Sequence, residues 1–437
     1  MVAVNRRKFL QASGGVAALG LIPGLVPALA LAGAEAYAPQ DEIASEVGSG
    51  VGAEIAPWIP GVLDIHHINT GCGNSTLVVM PDGTSLLIDA GASGTTGPAM
   101  NAPRPDGSRR PGEWIARYVR RQLTVNAQPG LDYALLTHFH GDHVGDVTPQ
   151  SPESTHGTYK VTGISDVAEV IPITTIIDRG FPSYSFPAPV TDPPALNYIQ
   201  FIKARVKRGL PVERVRVGSS SQIAQLRGRE RYPEFGVRMI AGNGEVWTGQ
   251  DESSVAHFPV KSSGGPNPVS NENNCSIALR LNYGRFSYFA GGDLNCDTNY
   301  GQDPWRDIET PAAKAAGAVS VATCDHHGYF DANGPEFVRA LKPRIWILQS
   351  WHASHPAMSV LANLYSPILY SGARDVFCLS LNPATALTTA RFSDRFKSSQ
   401  GHVLVRVAPG GAEYSVLVLE GGDESGRVKA VFGPYTS

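Results

Sequence analysis

Cysteine is scarce in this chain of 437 residues. The five present, Cys72, Cys275, Cys296, Cys324 and Cys378, are too scattered for a CxxC motif, which excludes a thiolate metal knuckle. Their odd number leaves at least one unpaired within the chain, and they are expected as small buried residues, although an oxidising compartment would permit one disulfide. Charge is also low. Charged residues make up 17% and the formal net charge is −3, so no general affinity for polyanions is expected, although a local patch can still bind phosphate. A long uninterrupted apolar run is missing too. The uncharged run from Ala12 to about Ala34 is broken by Gly14, Gly15, Gly20, Pro23, Gly24 and Pro27, which weakens any reading of it as a spanning helix. What the chain does have is 42% apolar residues, enough for an ordinary globular core, and 47 glycines and 33 prolines, which predict many loops and turns.

The N-terminus reads as an address. Asn5-Arg6-Arg7-Lys8-Phe9-Leu10 precedes the Ala/Gly/Leu-rich run, with small-residue cleavage candidates at Ala32-Gly33-Ala34 and Ala36-Tyr37-Ala38. Residues 1–38 resemble a twin-arginine export signal. That resemblance implies the twin-arginine export machinery as a partner, no stable membrane span after processing, and a periplasmic or secreted protein. Residues 39–60 are polar and small, and read as a linker. The globular domain is expected over 61–437, with an insertion at about 148–260.

Within that domain, Val62 to Ile68, Ser75 to Met80 and Ser85 to Asp89 read as strands joined by turns at Gly71-Cys72-Gly73-Asn74 and Pro81-Asp82-Gly83-Thr84. They predict two hairpins at the antiparallel edge of a larger sheet. His66 and His67 fall on opposite faces of the first strand, and structural roles are expected for both. Asp89 ends a strand, where it can support a neighbouring loop. Glu113 to Leu123 reads as an amphipathic helix with Trp114, Ile115, Tyr118 and Val119 inward. A second helical pattern, Pro193 to Arg208, presents Leu196, Ile199, Phe201 and Ile202. The basic run Lys203, Arg205, Lys207, Arg208, Arg214 and Arg216 reads as a solvated face rather than a nucleic-acid patch, because Glu213, Glu230 and Glu234 interleave with it.

The densest chemistry lies in Thr137-His138-Phe139-His140-Gly141-Asp142-His143, directly after the apolar run Tyr133 to Leu136. Three imidazoles and a carboxylate at a strand end suit a zinc, manganese or iron ion and leave a position open for water. Further strand ends carry similar groups. Phe286 to Ala290 leads to Gly291-Gly292-Asp293, Val319 to Cys324 to Asp325-His326-His327-Gly328, and Ile345 to Leu348 to Trp351-His352-Ala353-Ser354-His355-Pro356. Helices are expected at Pro311–Ala318 and Gly334–Leu341, and the loop Ser262 to Pro268 precedes the strand Ser276 to Leu281. Strand-rich halves followed by helices, with chemistry at loop ends, predict an α/β (α+β) architecture of four αββα layers.

With these elements in place, the chain resembles the metallo-β-lactamase-fold superfamily from about Gly61 to about Leu364. By that resemblance His138 and His140 would hold a first metal, Asp142 and His143 a second, and Asp293 would bridge both. One of His326 and His327 would complete the second site, and the other would contact substrate or support a ligand. The superfamily pattern places one more histidine on the first metal, just before the strand near Ser276. Here Glu272, Asn273 and Asn274 stand there, and His257 could substitute only through a long loop. The turn at 71–75, the Asn273-Asn274-Cys275-Ser276 run, Gly-Gly-Asp-Leu at 291–294, His-His-Gly and His355-Pro356 are similar to the hydrolase domain of bacterial DNA-uptake competence channels. That similarity implies an active-site role for His355 as proton donor or oxyanion contact, with Asn274 and His352 on the substrate side.

The implied cofactor is one or two divalent ions, zinc in the first place with manganese or iron as alternatives. Asp142 then counts as both ligand and catalytic residue, and water held between the cations would have its pKa lowered toward roughly 7. The resemblance implies an exported metal-dependent hydrolase of phosphodiesters, small or polymeric. A lactone, ester or β-lactam hydrolase and a metal-binding protein without catalysis are the alternatives.

Overall fold

Strands covered on both sides sort their side chains by parity, and that rule builds the interior of this protein. In β1 (Leu63–His67), Leu63 and Ile65 enter one apolar cluster while Asp64 and His66 turn the other way. In β2 (Thr76–Val79), Val78 joins Leu63 and Ile65, whereas Leu77 and Val79 enter a separate cluster on the opposite face. The computed structural model describes residues 50–125, 129–259 and 271–437. The expected export signal and the Ser262 to Pro268 loop lie outside the described residues, as does the first half of the expected linker. Residues 52–55 of that linker hydrogen-bond to Val428 and Gly426, which ties them to the domain.

Among the described residues the first sheet holds nine strands. Besides β1 and β2 these are β3 (Ser85–Ile88), β4 (Leu131–Leu135), β5 (Ile173–Asp178), β6 (Val212–Arg214), β15 (His402–Val407), β16 (Glu413–Leu419) and β17 (Val428–Thr436), in the order 17-16-15-1-2-3-4-5-6. The second, of eight, contains β7 (Phe235–Gly242), β8 (Glu245–Trp247), β9 (Ser254–Ala256), β10 (Ala278–Tyr283), β11 (Phe286–Ala290), β12 (Val321–Thr323), β13 (Ile345–Leu348) and β14 (Asp375–Cys378), in the order 14-13-12-11-10-7-8-9. Their facing sides share one core, in which Ile65, Val78 and Leu135 of the first sheet meet Val237, Leu281 and Ile347 of the second.

Helices cover the two outer faces. Helix α1 (Pro111–Val125) contributes Ile115 and Val119 to the outside of the first sheet, followed after the single turn α2 (Gly141–Val144) by Val167 of α3 (Ile164–Val170) and Ile202 of α4 (Pro193–Lys207). On the second sheet, α5 (Glu309–Ala316), α6 (Pro335–Leu341) and α7 (Met358–Leu364) supply Ala312, Phe337 and Leu361, and Phe392 of α8 (Pro383–Ser393) packs against them. This is the four-layer αββα sandwich expected from the strand and helix pattern. Among the described residues no helix is long and apolar enough to cross a membrane.

Four expectations change. The first two hairpins are not an edge, because β15 pairs with β1 and the C-terminal strands extend the sheet beyond it. The stretch 148–260, expected as an insertion, supplies β5 to β9 and so takes part in both sheets. On α4 it is Ala195, Tyr198, Ile199, Phe201 and Ile202 that are buried, while Leu196 is exposed. Arg205, read as part of a solvated face, is buried and donates to the carbonyls of Ile173, Thr174 and Pro211, closing backbone acceptors at the strand ends.

Candidate metal centre

Parallel neighbours in each sheet end on the same side, so the loops after β4, β11, β12 and β13 gather over one edge of the sandwich. The loop after β4 carries His138, His140, Asp142 and His143, with the last two in the single turn α2. Its path requires glycine opposite. A Cβ on Gly91 would stand 1.9 Å from the Asp142 carbonyl oxygen, and Gly91 donates its N–H to Asn74, whose own N–H donates to that carbonyl. Asp293 follows Gly292, which has φ +59° and whose added Cβ would stand 2.9 Å from Thr137 Cβ. The two glycines therefore hold the loops close enough for their side chains to meet.

Two donor groups result, and they share Asp293. One contains Asp142, His143, Asp293 and His327, the other His138, His140 and Asp293, and within each group the candidate ligand atoms lie within 4.8 Å of one another. In the first, His143 Nε2 is 3.1 Å from Asp293 Oδ1, and His327 Nε2 is 2.8 Å from Asp142 Oδ2 and 3.4 Å from Asp293 Oδ2. In the second, His138 Nε2 is 3.0 Å from His140 Nδ1 and 3.8 Å from Asp293 Oδ2.

Partners behind the imidazoles decide which nitrogen faces inward. His143 Nδ1 donates to Asp89 Oδ2 at 2.7 Å, and Asp89 also accepts the Thr137 N–H and hydroxyl. His327 Nδ1 lies 3.1 Å from Asn74 Oδ1 and 3.3 Å from the Gln349 carbonyl, both acceptors, so its hydrogen sits there and Nε2 faces Asp142. His138 Nδ1 lies 3.2 Å from Thr137 Oγ1, which leaves its Nε2 turned toward His140.

These residues fit a cation. His143 Nε2 and Asp293 Oδ1 are buried and neither has a hydrogen-bond partner, although they lie close together. Burial would lower His143, yet the carboxylates of Asp293, Asp89 and Asp142 lift it well above the ordinary imidazole range. Burial likewise opposes a charge on His327, and Asp293 and Asp142 push it up to about 9. Against burial, the imidazoles of His143, His327 and His326 hold Asp293 well below the usual carboxylate range. The carboxylates thus favour positive charge at this place, and imidazole with carboxylate is the donor set of zinc and related ions.

The remaining candidates divide. His326 has its Nε2 3.9 Å from Asp293 Oδ2 and its Nδ1 2.6 Å from Asp331 Oδ1. His355 stacks on His327 with ring centroids 5.0 Å apart, and its buried Nδ1 has no partner. Burial first, then the neighbouring His327 and His326, hold His355 well below the ordinary range, so its imidazole is neutral. His352 is less buried and bonds Ser354, with its ring 5.6 Å from His355. Asn274 is buried with its Oδ1 unpartnered. Its neighbour Asn273, and not Asn274, reaches a site histidine, with Nδ2 3.2 Å from His326 Nε2. Glu272 is engaged by Arg179 and by the Phe139 N–H, and His257 is in neither donor group.

Residues that the sequence reading did not single out also surround the centre. Gln349 and Asp331 orient imidazoles, and Trp351 sets its ring against both His327 and His355. A carboxylate a few residues past His-His was the available signal for Asp331; nothing comparable marked Gln349, which acts through its backbone.

Residues 69–161 match the family described as the metallo-beta-lactamase superfamily. No curated protein matches the chain in sequence. Among solved structures it is similar to a mutant of the CmlA beta-hydroxylase, with 12% identity, a TM-score of 0.38, and 80% of this chain and 54% of that one covered. A second is the metallo-beta-lactamase fold protein YhfI from Bacillus subtilis, with 12% identity, a TM-score of 0.32 and coverage of 80% and 98%. A third is zinc-bound PqqB from Methylobacterium extorquens, with 10% identity, a TM-score of 0.36 and coverage of 78% and 99%. The chain thus spans about half the length of the first and nearly all of the other two.

Proposed function

We propose that this protein is an exported metal-dependent hydrolase of phosphodiesters, with two divalent cations held on either side of Asp293. The observation that carries this reading is the convergence of two donor groups on one buried aspartate, with His143 Nε2 and Asp293 Oδ1 left without hydrogen-bond partners. When bound, the cations supply Lewis-acid polarisation of the substrate and acidify water to roughly neutral pKa. His138 and His140 would hold one, and Asp142, His143 and His327 the other. Asp89, Thr137 and Asn74 keep the imidazoles turned inward by taking their outer N–H groups.

His355 works beside these ligands. A neutral, buried imidazole with a free Nδ1 is suited to donate a hydrogen bond to an oxygen on which charge develops, which favours the oxyanion contact over an imidazolium acid. Trp351, edge-on to His355 and His327, keeps that ring in place and excludes water from its side. Preference for a phosphodiester rests on the motif similarity to the competence-channel hydrolases and on the absence of a histidine at Glu272 to Asn274, where Glu272 is tied to Arg179. Export rests on the twin-arginine pattern near Arg6 and Arg7.

The test is hydrolysis of bis-p-nitrophenyl phosphate, nitrocefin and a lactone by the purified mature protein. Phosphodiester turnover that vanishes with chelator and returns with zinc or manganese is expected. Turnover of nitrocefin alone contradicts the reading.

A further inference from the structure

A gap in the first donor group faces a histidine that has no assigned task. His138, His140 and Asp293 supply three donors, and the superfamily's remaining histidine, expected just before β10, is absent. In its place the short turn Asn273–Cys275 brings the amide of Asn273 to 3.2 Å from His326 Nε2. His326 is prepared as a ligand would be. Its Nδ1 donates to the Asp331 carboxylate at 2.6 Å, which fixes the tautomer and leaves the Nε2 lone pair pointing inward. That nitrogen is 3.9 Å from Asp293 Oδ2, and His138 Nε2 is 3.8 Å from the same oxygen. Donors around a tetrahedral ion with bonds of about 2.1 Å stand roughly 3.4 Å apart, so both imidazoles are within a few tenths of an ångström of ligand spacing from Asp293.

The backbone tells the same story. His326 and His327 both adopt left-handed conformations, with φ of 46° and 55°, which non-glycine residues rarely do in succession. An extended pair would send adjacent side chains to opposite faces. The left-handed pair instead lets both imidazoles approach Asp293, with His327 Nε2 at 3.4 Å and His326 Nε2 at 3.9 Å from Oδ2. His326 stands outside the tight triad of His138, His140 and Asp293, its Nε2 engaged by Asn273. With 16% of its side chain exposed it has room to turn.

From this we infer that His326, oriented by Asp331, is the fourth protein donor of the first cation site, replacing from the β12 loop the histidine that is missing before β10. The inference rests on the two-cation reading above and assigns the two adjacent histidines to different ions, His326 to the first and His327 to the second.

The experiment is metal binding, independent of turnover. Mature wild-type protein, His326→Ala, Asp331→Asn and His327→Ala are stripped with chelator and titrated with Co2+, following bound metal by equilibrium dialysis and the d–d absorption. Wild type is expected to take up two equivalents. His326→Ala should retain one and bind the other more than about 100-fold more weakly, while Asp331→Asn should retain two with one weakened about 10–100-fold. His327→Ala should weaken the opposite equivalent, with a different residual spectrum. If His326→Ala fails to fold, Asp331→Asn carries the decision, and unchanged affinities and spectrum in that variant overturn the inference. So does a His326→Ala protein that binds both equivalents as wild type does, or one that weakens both alike. Two equivalents in wild type with no selective loss in the variants refute the His326 assignment alone. Fewer than two in wild type refutes it together with the two-cation reading.

Discussion

Beneath helix α1, on the outer face of the first sheet, Asp64, His66, Tyr118, His402 and Arg406 are buried together. At the loop edge of the same sandwich lie His138, Asp142, His143, Asp293 and His327, which also combine imidazole with carboxylate. In the first group Arg406 forms two hydrogen bonds to Asp64 at 2.8 and 2.7 Å, His66 Nδ1 lies 3.0 Å from Tyr118 Oη, and His402 Nδ1 accepts the Asn69 N–H. None of its five members leaves a buried side-chain nitrogen or oxygen without a partner, whereas the second group leaves His143 Nε2 and Asp293 Oδ1 open. Both groups bury imidazole beside carboxylate, and satisfaction separates them. A buried polar cluster complete in itself is structure, and one whose inner atoms face a common space calls for a ligand.

Breaking each group should therefore have opposite consequences. The double change His138→Ala/Asp142→Ala removes a donor from each side of Asp293 and is expected to lower chelator-sensitive turnover by about 1,000-fold or more while leaving the melting temperature of chelator-treated protein little changed, as read by steady-state kinetics and thermal unfolding. Asp64→Asn should do the reverse. It strands the buried Arg406 guanidinium and is expected to cost about 3–5 kcal/mol in denaturant unfolding, with bound metal per folded protein unaltered.

A softer probe sits between these extremes. Asp89 has φ 59°, a conformation asparagine tolerates, so Asp89→Asn keeps the backbone while weakening the acceptor behind His143. Metal affinity by competition with a chromogenic chelator should fall about 10–100-fold. The smallest effect is one of pH. Burial, as the main cause, holds His67 and His402 down to about 3. Their unfolded pKa is about 6.5, so below that value the unfolded chain binds protons that the folded chain refuses. This part of the stability is full above about pH 6.5 and is lost as the pH falls toward 3, at up to about 1.4 kcal/mol per pH unit for each histidine. In chelator, His402→Asn should show a shallower acid slope than wild type over that window.

The same contrast explains how much could be read from the residues in order. His138 to His143 are local, and Asp293 and Asp89 end strands after recognisable apolar runs, while the meeting of Asp293 with the His138 to His143 loop was implied by the resemblance to the metallo-β-lactamase fold. His66 and His67 were legible as structural because neighbours on a strand face opposite ways; His66 meets Tyr118 outside the sheet and His67 meets Tyr288 between the sheets. What sequence order could not separate was His326 from His327, since the left-handed turn that brings both near Asp293 is a property of the folded loop. Nor did it show that β15 to β17 would continue the first sheet past β1, because an edge strand and a covered one carry the same alternation when both faces are apolar. Arg205 illustrates the third kind of miss. A basic residue on a helix usually points to water, and only the position of the Ile173, Thr174 and Pro211 carbonyls makes its burial favourable.

The most direct measurement is the metal content of mature wild-type protein and of Asp293→Asn after dialysis against zinc. Wild type should hold two equivalents, and Asp293→Asn, which alters the donor common to both groups, should hold fewer than one with phosphodiester turnover lost in parallel. A wild type that binds no zinc, or an Asp293→Asn protein that keeps two equivalents and full turnover, would contradict the claim that the two groups form one metal centre.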